Sequence, residues 1–245
     1  MIISPQIKYE ERTYRNLISK GKLESYNIVI GQSDLFISSD VNLSEEAKKS
    51  LIHHRSHLEN YIKKYPQFLK SLLPLAQDTL APAIVRDMLE KSAFCGVGPM
   101  ASVAGAISQF VGQDLFDYTE SLIIENGGDI FLKTKEKLII SVFAGESPLS
   151  YKVNFSIKPE NTPLGVCTSS FTVGHSISLG KADAVCVISK SATLADAAAS
   201  AIGNKVKNKN DIKNALDFGL KIRGVEGIIV IIGNDMGAIG DITFI

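Results

Sequence analysis

Apolar and polar side chains alternate between Ser25 and Ser38, where Ile28, Ile30, Leu35 and Ile37 flank the segment Gly31-Gln32-Ser33-Asp34. A period of two broken by a glycine-led turn predicts an antiparallel hairpin. From Asn42 to Tyr65 the period lengthens. Leu43, Ala47, Leu51, Leu58, Tyr61, Ile62 and Tyr65 recur at helical spacing, and Asn42 with Glu45 predicts a capping-box start. A second helix is predicted from about Pro82 through Ile84, Val85, Met88 and Leu89, because a first-turn proline already has helical φ. Cys95-Gly96-Val97-Gly98 interrupts it, and Pro99 opens a third helix to about Val111. Ala101, Ala104, Gly105, Ala106 and Ser108 make that helix thin, so another element is expected to pack closely against it.

The rest of the chain is rich in β-branched residues. Strands are predicted near 121–125, 129–133, 138–143, 153–157, 164–168, 172–178, 184–189, 227–232 and 239–244, with helices near 192–206 and 210–221. A hairpin, then clustered helices, then many strands predicts an α+β fold with mixed or antiparallel sheets. With neither a low-complexity linker nor an internal repeat, residues 1–245 read as a single domain. A hairpin and helical part spans 1–92, and a part carrying the candidate chemistry spans 93–245.

The 245 residues are 45% hydrophobic, enough for a full-sized core. Twenty-six basic residues balance twenty-six acidic ones, so no global field draws in nucleic acid or a membrane surface. The start Met1-Ile2-Ile3-Ser4-Pro5-Gln6 lacks the features of a secretory signal, and no apolar run reaches the roughly 18 residues of a membrane span. A cytoplasmic protein is expected. Cysteines at 95, 167 and 186 have neither CxxC spacing nor an even count, which excludes a disulfide framework and a cysteine-rich zinc site.

Four segments carry candidate chemistry. In Ile124-Glu125-Asn126-Gly127-Gly128-Asp129-Ile130 the paired glycines permit positive φ. They make either a type I′ hairpin turn or a ligand-facing turn anchored by Asp129. Cys167-Thr168-Ser169-Ser170 places three hydroxyls at a strand end, for a phosphate, for metal-bound water, or for bonds to their own turn. In Thr193-Leu194-Ala195-Asp196-Ala197-Ala198-Ala199-Ser200, the four-residue spacing sets Asp196 and Ser200 on one helical face. They make either two hard ligands for Mg²⁺ or an ordinary capped helix. Gly96-Val97-Gly98-Pro99-Met100-Ala101 fits GxGxxA, but helix rather than strand precedes it, which leaves at most an anion-facing helix start after Gly98. His53 and His57 share a helical face without the glutamate of an HExxH site, so that cluster reads as a solvated face.

Taken in order, these segments resemble the ApbE-like superfamily, which includes the FAD:protein FMN transferases. Glu125-Asn126-Gly127-Gly128-Asp129 is similar to the family's Asn-x-Gly-Gly-Asp/Glu strand, and Val166-Cys167-Thr168-Ser169-Ser170 to its Ala-Thr-Ser-Gly segment. His175 follows where the family has a histidine-bearing strand. Leu194-Ala195-Asp196-Ala197-Ala198-Ala199-Ser200 is similar to its Ala-Asp-Ala-Leu-Ala-Thr helix.

The resemblance implies an α+β ApbE-like fold that holds FAD with Mg²⁺ at the pyrophosphate. Asp196 and Ser200 would take the metal. Gly98, Asn126, Gly127, Gly128, Asp129, Thr168, Ser169 and Ser170 would contact the nucleotide, and His175 is the candidate base. In the family an acceptor protein attacks the flavin-proximal phosphate and AMP leaves. The chain departs from the transferases in having Pro99-Met100-Ala101 where they have a lysine-glycine pair, and it is more similar to the cytoplasmic branch, some of whose members are associated with sulfur assimilation. Alternatives are therefore a non-catalytic flavin or nucleotide binder and a sulfur relay acting through Cys167. Small-residue helices and many strands leave room for a homodimer.

Overall fold

The computed structural model describes residues 23–170 and 180–245. Its frame is an eight-stranded sheet built from β1 (Glu24–Ile30), β2 (Ser33–Ser39), β3 (Leu122–Asn126), β4 (Asp129–Lys133), β7 (Leu164–Ser169), β8 (Ala184–Ser189), β9 (Val225–Ile232) and β10 (Asp235–Gly240). The strands lie in that order and every neighbouring pair is antiparallel. Between β4 and β7 the chain leaves to form β5 (Leu138–Ser141) and β6 (Asn154–Ile157). With β11 (Thr243–Phe244) these make a second, three-stranded sheet. The expected strand 172–178 lies outside the described residues, and the run 239–244 is divided between β10 and β11.

Helices cover one face of the large sheet and the small sheet covers the other. On the helical side α1 (Ser44–Lys64), α3 (Ala83–Cys95) and α4 (Val103–Leu115) bury Leu51, Val85, Met88 and Ile107 against Ile37, Leu122 and Ile124. Further along that face α5 (Ala192–Gly203) and α6 (Ile212–Gly219) pack on Val185, Val187, Ile228 and Val230. On the far face Val142, Val153, Phe155 and Ile157 meet Leu132, Leu164, Val166, Cys186 and Ile229. Burial on both sides is why β8, Ala-Val-Cys-Val-Ile-Ser, is apolar nearly throughout rather than alternating. The hairpin and helical part shares this sheet with the remainder, since β2 pairs with β3 through Ile37 and Ile124.

Two local expectations need correction. Asn42 does not cap α1 through Glu45. The helix starts at Ser44, Leu43 is its cap residue, and Asn42 Oδ1 accepts the Ser44 amide at 3.0 Å in a local turn. The helix after Gly98 opens as a 3₁₀ turn, Pro99–Ser102, before α4 begins. A one-turn helix, α2 (Gln67–Lys70), precedes it without a periodic signal of its own, anchored by the fully buried Phe68.

Candidate functional site

Four elements meet on the helical face near the end of β7. The β3–β4 hairpin turns at Gly127 and Gly128, with φ of 69° and 99°, and Asn126 pairs directly with Asp129. Positive φ at both turn positions is the type I′ requirement, so the paired glycines meet a backbone demand. Asn126 Nδ2 donates to the Ala104 carbonyl at 3.2 Å, and Ser108 Oγ donates to the Asp129 carbonyl at 3.1 Å. The hairpin is thereby fastened to the first turns of α4.

The thin helix meets the partner its composition requires. A Cβ on Gly105 would lie 2.3 Å from the Ala192 carbonyl oxygen and 2.8 Å from Asp196 Cβ, so α4 and α5 touch through glycine. That approach lets the Gly105 amide donate to Asp196 Oδ2 at 2.9 Å. Gln109, one turn further along α4, accepts from Ser191 Oγ at 3.0 Å and from the Thr193 amide at 3.3 Å, which fixes the start of α5.

Two carboxylates face each other across this junction. Asp129 Oδ1 accepts the Thr168 amide at 3.2 Å, yet burial and the charge of Asp196 hold its pKa well above the carboxylate range. Burial raises Asp196 to about 7 against the backbone amides of Gly105 and Ala104, which favour its ionised form. Cys167, the residue paired directly with Asp129 across β4 and β7, is fully buried, its Sγ donating to the Ala192 carbonyl at 3.4 Å. Burial and both aspartates push that thiol far up, and burial with Asp196 pushes Cys95 up to about 12. A persulfide-forming cysteine needs an accessible thiolate, and this environment holds a buried thiol, so the sulfur-relay expectation for Cys167 gains no support. Cys167 is as deeply buried as Cys186.

The hydroxyl segment is not one surface. Strand alternation turns the Thr168 side chain toward Cys186 on the far face, while its backbone amide serves Asp129. Ser169 stays on the helical face, its Oγ 3.8 Å from where a side chain on Gly203 would begin. Ser200 follows Asp196 by one turn of α5 and is partly exposed. Gly98 has a packing role, since a Cβ there would lie 1.8 Å from the Ser71 carbonyl oxygen. His175 lies outside the described residues.

Glu125 had no role in the sequence reading. It is 1% exposed and its Oε1 accepts the Gly128 amide at 2.7 Å, bracing the second glycine of the turn from the far face. A carboxylate in the apolar strand Leu-Ile-Ile-Glu-Asn was the available signal.

The α+β fold is the one found in ApbE flavin transferases. A flavinyl transferase ApbE of Pseudomonas stutzeri superposes with a TM-score of 0.55 at 13% identity, over 89% of this chain and 94% of that one. A flavin transferase ApbE of Vibrio cholerae, in mutant form, gives 0.56 at 11% identity, over 90% and 98%. The chain belongs to the family described as AbpE bacteria, whose model matches residues 15–240. Among its relatives are a UPF0280 protein of Methanococcus aeolicus, 43% identical over 80% of this chain and 81% of that protein. Another is a UPF0280 protein of Methanocaldococcus jannaschii, 41% identical over 88% and 90%.

Proposed function

We propose that this protein binds FAD or a related flavin nucleotide together with Mg²⁺, and acts on the FAD pyrophosphate as an Mg²⁺-dependent flavin transferase. The observation that carries the reading is the pair of the buried Asp129 and the partly buried Asp196, two mutually repelling carboxylates at the meeting of a glycine hairpin, a strand end and two helices. Such a pair is unfavourable unless a proton or a cation lies between its members. Mg²⁺ fits by chemistry, because it takes one or two carboxylates and completes its shell with water and substrate phosphates. Asp196 and Asp129 would hold it with the Ser200 hydroxyl alongside, and it would supply charge neutralisation at the pyrophosphate.

The protein's own groups have separate tasks. The Gly105 amide holds the Asp196 carboxylate in place, and the Thr168 amide does the same for Asp129. Asn126 and Glu125 keep the hairpin seated so that Gly127 and Gly128 present backbone to the nucleotide rather than side chains. Ser169 and Ser170 are neutral donors for phosphate oxygens. His175 is the candidate base for an acceptor hydroxyl on a protein partner. Attack at the flavin-proximal phosphorus forms the new phosphoester bond, and the broken pyrophosphate bond leaves with AMP.

The test is AMP release from FAD. Purified protein with FAD and Mg²⁺ should liberate AMP, with water taking the place of the acceptor hydroxyl and FMN forming as the second product, and Asp196→Ala should reduce the rate by at least about a hundredfold, as loss of a metal-holding carboxylate does. No AMP under any divalent cation would refute the catalytic reading. Binding without turnover is the second reading. It is favoured by the proton-retaining state of Asp129 and Cys167, neither of which supplies an ionised base or nucleophile.

A further inference from the structure

The segment after α1 has a composition unlike the rest of the surface. Between Asn60 and Gln77 there is no Asp or Glu, while Lys63, Lys64 and Lys70 fall within it. All three lysines are exposed. Glu59, just before the stretch, is paired with Arg55 at 2.6 Å; Asp78, just after it, accepts the Tyr61 hydroxyl at 3.0 Å and keeps its charge, so residues 61–80 carry three lysines against one aspartate. In a chain of zero net charge this is a local cationic field.

Leucines stand out from the same segment. Leu69 is 51% exposed, Leu72 60%, Leu73 70% and Leu80 95%. Phe68 and Leu75 turn the other way, into the core beside α1 and α3, so the backbone is fastened and the exposed leucines are displayed rather than loose. Beside them Tyr61, Lys64, Tyr65, Asp78 and Leu80 line an open cleft of about 330 Å³. Protruding leucines among lysines do not match a protein–protein interface, whose core is depleted of lysine. They match interfacial membrane contact, where apolar side chains enter the acyl boundary and lysines meet anionic headgroups.

We propose that the 61–80 segment is a peripheral membrane-docking surface selective for anionic lipid. Leu72, Leu73 and Leu80 enter the bilayer surface, and Lys63, Lys64 and Lys70 pair with phosphate headgroups. The contact is reversible and salt-sensitive, because three lysines hold an anionic surface only while the charges are unscreened.

The test is co-sedimentation of the full chain with vesicles of phosphatidylcholine alone or mixed with phosphatidylglycerol. Sedimentation with the mixed vesicles only, declining as salt is added, is the expected result. Lys63→Gln with Lys64→Gln should weaken partitioning by roughly fivefold per lysine. Leu72→Ser with Leu73→Ser should abolish it while leaving circular dichroism and melting unchanged, since both side chains are already exposed. Failure to bind anionic vesicles at low salt would overturn the proposal, as would undiminished binding by the leucine variant. Concentration-dependent dimerisation lost in that variant, without vesicle binding, would assign the surface to a second copy and overturn it equally.

Discussion

Asp196 receives opposing influences on its proton: burial holds it on, and the amides of Gly105 and Ala104 favour releasing it. Burial prevails and raises the pKa from 3.8 to about 7. With the folded-state value above the unfolded one, the native protein keeps a proton the unfolded chain has lost. Stability contributed here is therefore complete below pH 3.8 and falls as pH rises to about 7. Asp196→Asn keeps an oxygen for the Gly105 amide and removes the charge. It should raise stability above pH 7 by on the order of 1–3 kcal/mol, with the gain vanishing toward pH 4, read from denaturant midpoints across pH. An equal gain at every pH would show that the carboxylate charge is not responsible. Mg²⁺ offers the second check, because a cation that binds the ionised pair stabilises the folded state by mass action. Added Mg²⁺ should raise the melting temperature of the parent above pH 7 and leave Asp196→Asn unmoved; an identical response in both would place the metal elsewhere.

Residue roles at the junction were only partly legible in the chain. Asp129 and Asp196 could be singled out because a carboxylate beside paired glycines, or among alanines, departs from its surroundings. Their proximity could not, because 67 positions separate them and it takes the β4–β7 pairing and the packing of α5 on α4 and β7 to bring them together. The alternation that splits Thr168 from Cys167 and Ser169 was implicit in the predicted strand. The hydroxyl triplet nevertheless reads as one surface until the strand is given its two covered faces.

Among elements, the close approaches of α5 carry the most testable packing. Gly165 of β7 lies under Ala192, where an added Cβ would be 2.3 Å from its Cα and 2.7 Å from its amide nitrogen. Those are backbone atoms of a helix start held by Gln109, so relief requires moving α5 as a body. Gly165→Ala should cost a few kcal/mol and lower the denaturation midpoint. An unchanged midpoint would mean that the helix shifts freely. Ser108→Ala is the milder probe, leaving the Asp129 carbonyl without its hydroxyl at a cost of about 1 kcal/mol. The small residues of α4 announced a close neighbour, since glycine and alanine at helical spacing bury little unless something fills the space. Which neighbour depended on a contact between positions 105 and 192, beyond any local pattern.

Across the whole molecule, the α+β class followed from the order of periods along the chain, and three layers appeared where the sequence offered an undivided run of strands. The small sheet was illegible because β5 and β6 have only four residues each, Leu-Ile-Ile-Ser and Asn-Phe-Ser-Ile, with no pattern that sets them apart from strands of the large sheet. Their departure from it becomes visible only when β4 pairs with β7. Among the described residues no single helix is long and apolar enough to cross a membrane, and the apolar α3 and α4 are core helices bent apart by 101° at Gly96–Gly98. On the helical face the large sheet, α4 and α5 meet at the Asp129–Asp196 pair, which we propose holds a flavin nucleotide through Mg²⁺. Titration of FAD into the protein followed by flavin fluorescence, with and without Mg²⁺, tests it most directly. Saturable binding that requires Mg²⁺ and is lost in Asp196→Asn is the predicted result, and absence of binding, or binding indifferent to both the cation and the substitution, would contradict it.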